Sequence, residues 1–148
     1  MARSFTINKI TLPDLANLPL AGLQEWMRSV KRAFVSDVYT PTLTNTTNLA
    51  ASTAYECQYT QTQNVVTVTG KVDVDPTGAG QCVLGFSLPI ATTFDAVEQC
   101  GGTAAAPAVA GFVAAIYADV TNQRATFEWV AVDTANRSLY FTFSYRIL

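Results

Sequence analysis

The stretch SLYFTFSYRI, residues 138–147, decides the fold. Leu139, Phe141, Phe143, Tyr145 and Ile147 alternate with Tyr140, Thr142, Ser144 and Arg146. A period of two places the first set on one face of a strand and the second on the other. Five large apolar side chains on one face need an apolar layer opposite, so this strand predicts a core built by other strands. The segment NVVTVTGKVDV, 64–74, supplies one of them: Val66, Val68, Val72 and Val74 share a face, with Thr67, Thr69, Lys71 and Asp73 near the other.

The same logic extends outward. Tyr55–Thr62 alternates, and Gln63 and Asn64 make a hairpin turn into the valine strand. The loop DPTGAGQ, 75–81, ends that strand, and Cys82–Leu88 begins the next, stopped by Pro89. Residues 89–109 read as the longest irregular stretch. Gly111–Ala118, Gln123–Val132 and Ser138–Ile147 then read as a three-stranded meander. Seven or eight antiparallel strands with turns every 8–12 residues predict an all-β domain, a β-sandwich or jelly roll, over 37–148.

Residues 1–36 differ in character. SFTINKITL, 4–12, is extended, with Phe5, Ile7 and Ile10 as the apolar contacts of a strand that must join a sheet in this chain or another. From Leu20 the period changes: Leu20, Leu23, Met27, Val30 and Phe34 fall at spacings of 3, 4, 3 and 4, a heptad seam that Trp26 widens. About 15 residues make a helix of roughly 22 Å, too short to stand alone. It packs either on its own β-domain or against copies of itself and other partners; the narrow seam favours the second.

Charge divides the chain along the same line. Residues 1–35 carry five basic and two acidic side chains, net +3, while 36–148 carry four basic and nine acidic, net −5. The basic residues are too few and too scattered for a nucleic-acid stripe. No apolar run approaches the length of a membrane span, and the N-terminus lacks the apolar core of a signal peptide. Hydrophobic residues make up 49% of the chain and charged residues only 14%, so the polar surface consists mainly of hydroxyl and amide groups. Such faces suit subunit contacts or carbohydrate.

Little points to catalysis, metal or cofactor. Histidine is absent, which removes the Ser-His-Asp and Cys-His systems. Asp73-Val-Asp75-Pro-Thr77 has the DxDxT form of an aspartyl-phosphate nucleophile but lies between antiparallel β signals instead of in a βαβ unit. Read as a calcium loop, the same stretch puts Leu84 where a bidentate Glu is required. Cys57, Cys82 and Cys100 form no CxxC pair. They read as small buried hydrophobes in a reducing cytoplasm, with a Cys57–Cys100 bridge as the alternative.

The segments YTPTLTN (39–45), ASTAYECQY (51–59), NVVTVTGKVDVDPT (64–77), LGFSLPIATTF (84–94), EQCGGTAAA (98–106) and AVDTANRSLYFTFSYRI (131–147) together resemble a β-domain that recurs in tailed-bacteriophage virion proteins. The resemblance covers about three quarters of the chain. It implies a non-enzymatic virion β-sandwich, commonly a homotrimer, assembled in the host cytoplasm with other virion proteins. Two placements follow. In a short tail fibre or tail-tip protein the arm docks on the tail and the β-domain meets a host-surface glycan or protein. In a capsid decoration (cement) protein or head fibre it stabilises the shell. The heptad seam and large adhesive domain favour the fibre.

If the seam holds copies together, Leu23→Asp with Met27→Asp will convert the oligomer to monomers in sedimentation equilibrium while the β-sheet circular dichroism persists. An oligomer that survives both charges excludes the seam as its interface.

Overall fold

The computed structural model describes residues 22–25, 27–28, 34–107 and 109–147. The chain divides into two compact units, Met1–Ala33 and Phe34–Leu148. In the first, residues 22–25 and 27–28 are helical. The second is all-β, as its alternation predicts.

Ten strands follow in order: β1 (Phe34–Tyr39), β2 (Leu43–Thr47), β3 (Leu49–Ala54), β4 (Cys57–Thr62), β5 (Val65–Pro76), β6 (Gly80–Phe86), β7 (Cys100–Ala105), β8 (Val113–Asp119), β9 (Arg124–Ala131) and β10 (Arg137–Arg146). They form one hydrogen-bonded sheet ordered β1-β4-β5-β10-β7-β8-β9-β6-β2, with β3 on β5. All of its pairings are antiparallel. The strands exceed the expected seven or eight because the Thr- and Asn-rich stretch after β1 folds into β2 and β3, and the Gly- and Ala-rich stretch into β7.

The sheet curls on itself. Four ladder steps separate β6 from β10, about 19 Å on a flat sheet. Yet the rings of Phe86 and Phe141 lie 5.0 Å apart, edge to face. Phe127 stacks on Phe86 at 4.9 Å and meets Phe141 edge-on at 5.1 Å. Each such pair adds about 0.5–1.5 kcal/mol beyond the area it buries. Around this knot lie Val66, Val68, Val72 and Val74 of β5, Leu84 of β6, and Leu139, Phe143 and Tyr145 of β10, all buried. The expected sandwich layering is thus realised by one continuous ladder whose concave face is the core.

Three expectations change. Residues 100–105 are a central strand instead of part of an irregular stretch: β7 lies between β10 and β8. Small residues hid it, and one of them is required. A Cβ on Gly102 would lie 2.3 Å from the Thr142 carbonyl oxygen and 2.4 Å from Phe143 Cβ, so only glycine lets β7 approach β10. Secondly, β10 does not continue a meander from β9. It inserts between β5 and β7, pairing Phe143 with both Val68 and Gly102. Thirdly, Phe34 does not end the helix but opens β1, opposite Thr62 of β4. Its run FVSDVY gains ladder hydrogen bonds there that a short frayed helix end lacks.

Polar side chains fasten the loops over the core. The Tyr145 hydroxyl donates to the Ile90 carbonyl (2.7 Å) and accepts from the Ile90 amide (3.1 Å). Gln123, at φ 54°, accepts from the Phe94 amide and donates to its carbonyl, imitating a strand partner. Asn48 adopts φ 54° at the corner between β2 and β3; its amide nitrogen donates to Gly78 O (2.9 Å), and its Oδ1 accepts from the Thr77 hydroxyl.

Gly102→Ala will destabilise the domain by about 1–3 kcal/mol through overpacking against β10. Gly101→Ala, whose Cβ meets nothing within 4 Å, will be neutral or mildly stabilising. Denaturant midpoints of the two variants at constant m-value check this contrast.

Candidate binding surface

The pairing that seals the concave face also orders the convex one. Tyr140 stands opposite Lys71 of β5 on one side and Ala105 of β7 on the other. Ala105 pairs with Val113 of β8. The β8–β9 register, with Ala115 opposite Glu128, brings Val113 beside Val130, which pairs with Gln81 of β6. One row across six strands therefore reads Lys71, Tyr140, Ala105, Val113, Val130, Gln81. Its middle is apolar and open: Tyr140 is 53% exposed, Val113 62% and Val130 68%, with Val132 nearby in sequence at 68%.

The neighbouring row is polar except for Ala115: Gln58, Thr69, Thr142, Thr103, Ala115 and Glu128. Beyond it Thr67 and Ser144 share a hydrogen bond of 2.8 Å. At the β9 end, Glu128 accepts from Tyr117 (2.5 Å) and from Gln81. The bond to Glu128, with burial second, pushes the Tyr117 phenol up to about 12.

At the Tyr140 end the polar groups are locked together. Lys71 Nζ lies 3.9 Å above the Tyr55 ring and 3.3 Å from Asp73 Oδ1. The other Asp73 oxygen accepts from the Tyr55 hydroxyl (2.6 Å), and Ser138 donates to Oδ1 (2.6 Å). Partial burial works to raise the Asp73 carboxyl, but the bonds from Ser138, Tyr55 and Lys71 prevail and hold it below its ordinary value. Two shallow concavities flank Tyr140. Glu56, Gln58, Thr69 and Lys71 line one with Tyr140, and Pro107, Val109, Asn136, Arg137 and Ser138 line the other with it.

The residues expected to hold copies together or dock the arm are distributed differently. Leu23 and Met27 are both helical, Leu23 partly buried and Met27 48% exposed. Leu20, Trp26 and Val30 lie outside the described residues, as do Phe5, Ile7 and Ile10 of the arm. Phe34 is in β1 and belongs to the second unit. The surface around Tyr140 escaped sequence reading because it needs the β5–β10–β7 order: Asp73 and Ser138 are 65 residues apart, and only their register brings them together.

No group of three or more metal-ligating side chains occurs among the described residues. Asp73 of the DxDxT motif is spent on Lys71, Tyr55 and Ser138. Cys57, Cys82 and Cys100 are free thiols, all buried, and burial pushes the Cys100 thiol up to about 12, far from the thiolate form. No helix among the described residues is long and apolar enough to cross a membrane. No family model, curated protein or solved structure matches the chain.

The lowered Asp73 carboxyl fixes a direction for acid sensitivity. Its stabilising effect is complete above the ordinary carboxylate value of 3.8 and is lost as pH falls through the lower folded value. Carboxyl-carbon NMR titration will place Asp73 below 3.8, and Ser138→Ala or Tyr55→Phe will move its midpoint upward.

Proposed function

We propose that this chain is a structural, non-enzymatic component of a tailed-bacteriophage virion, with the β-unit as a binding module and the N-terminal segment as its attachment. The observation that carries the binding role is the open row Tyr140, Ala105, Val113, Val130 on a domain whose core is already sealed. A folded domain gains no stability from large apolar side chains held in water, so a contiguous exposed row marks a contact surface. The flanking hydroxyl and amide groups give that contact a polar rim, the usual layout of a protein interface.

The virion assignment draws on the six segments that resemble phage β-domains and on the charge-poor, hydroxyl-rich surface. Within it the short tail fibre or tail-tip protein is the preferred reading, with the helical segment holding copies together as a homotrimer. Leu23 and Met27, one helical turn apart with Met27 half exposed, support that role. The partners are then further copies of this chain, the tail proteins that receive the arm, and a host-surface glycan or protein.

Mass spectrometry of gradient-purified particles from the source phage will find this chain at stoichiometric copy number, and immunogold labelling will place it at the tail. Gold on the shell instead identifies a decoration protein, and absence from particles excludes both placements.

A further inference from the structure

We propose that the surface centred on Tyr140 is a carbohydrate site that takes an uncharged glycan, an inference that rests on the host-facing reading above and gives it a ligand class. Four observations carry it.

Tyr140 projects from the convex face between two shallow concavities and is half exposed. The negative face of an aromatic ring attracts the polarised C–H groups on the apolar side of a pyranose, and a tyrosine provides that platform at small entropic cost. Secondly, both flanking concavities offer neutral hydrogen-bonding groups: Gln58 and Thr69 on one side, beside the Glu56 carboxylate, and Asn136 on the other, where the Ser138 hydroxyl, whose proton goes to Asp73, can still accept. Amides and hydroxyls donate and accept, as a ring of sugar hydroxyls requires.

Thirdly, both cations beside Tyr140 already carry a carboxylate. Lys71 is paired with Asp73 at 3.3 Å and Arg137 with Asp133 at 2.6 Å. A phosphate, sulfate or acidic sugar would approach each cation beside a carboxylate already in place, and Glu56 lines the Lys71 concavity as well, so the charge pattern disfavours anionic ligands. Fourthly, the lysine is fixed in place. Tyr55 beneath it, Asp73 beside it and Ser138 on the far side of that carboxylate hold one arrangement, which lowers the ordering cost of binding.

The test uses the full-length protein on an array of neutral and acidic oligosaccharides, followed by calorimetric titration with the strongest neutral binder. Binding to a neutral glycan is expected, with affinity unchanged between low and high salt. Tyr140→Ala should weaken it at least tenfold and Tyr140→Phe, which keeps the ring, by much less, while both variants keep the thermal unfolding midpoint of the parent. Three results overturn the proposal: no neutral glycan bound, binding restricted to acidic glycans, or Tyr140→Ala binding as the parent does. Its fate is separable from that of the virion reading. A chain present in particles that binds no neutral sugar sinks the site alone; a chain absent from particles whose glycan binding depends on Tyr140 sinks the virion role alone.

Discussion

Everything in the β-unit depends on the insertion of β10 between β5 and β7. Its odd positions supply Leu139, Phe141, Phe143 and Tyr145 to the core, while its even positions supply Tyr140, Thr142 and Ser144 to the outer face. Removing it would leave a β1-β4-β5-β3 group and a β7-β8-β9-β6-β2 group with no ladder pairing between them, in touch through side contacts such as those of β3 with β2 and β6. The aromatic knot of Phe86, Phe127, Phe141 and Phe143 forms because β10 brings the two groups close enough to curl. Truncating one such buried ring typically costs about 3–5 kcal/mol, a large share of the stability of a domain this size.

The curl also explains why glycine is needed where it is. A wide sheet that folds over on itself must bring strands and bulky side chains into close approach on the concave side. Gly102 leaves room for Phe143, and Gly70 leaves room for Cys57 and Phe141. On the convex side Arg124 lies across Gly85, held by Asp119 at 3.0 Å. Polar clamps then close the ends: Tyr145 on Ile90, Gln123 on Phe94, and Asn48 on the loop before β6. Each replaces a backbone pairing that the curled sheet cannot supply at its margins, so the buried polar groups there are satisfied.

Period-two alternation made most strands legible, since Val66 to Val74 and Leu139 to Tyr145 announce both element and face. It could not reveal β7, because CGGTAA has neither alternation nor bulk and is a strand only by virtue of its two neighbours. The order of strands was likewise hidden: β10 follows β9 in the chain but pairs with β5 and β7, where Phe141, Phe143 and Tyr145 are buried, instead of turning back on β9. Phe34 fitted a heptad as well as a strand, and pairing with β4 decided between them. For the outer surface, the sequence displayed Tyr140, Lys71 and Asp73 singly. Their assembly with Tyr55 and Ser138 is a product of register, which no local pattern encodes.

The central position of β10 has a consequence for how the protein is made. It is the last of the ten strands to leave the ribosome, so the two strand groups must wait as exposed, unjoined sheets while it is synthesised, a delay of seconds at ordinary elongation rates. Their apolar faces and free edges are then available to neighbouring chains, including nascent copies on the same message. A protein whose keystone strand follows the nine strands around it can close its sheet only after all of them have been made. A chain lacking β10 would leave the buried faces of both strand groups without Leu139, Phe141, Phe143 and Tyr145.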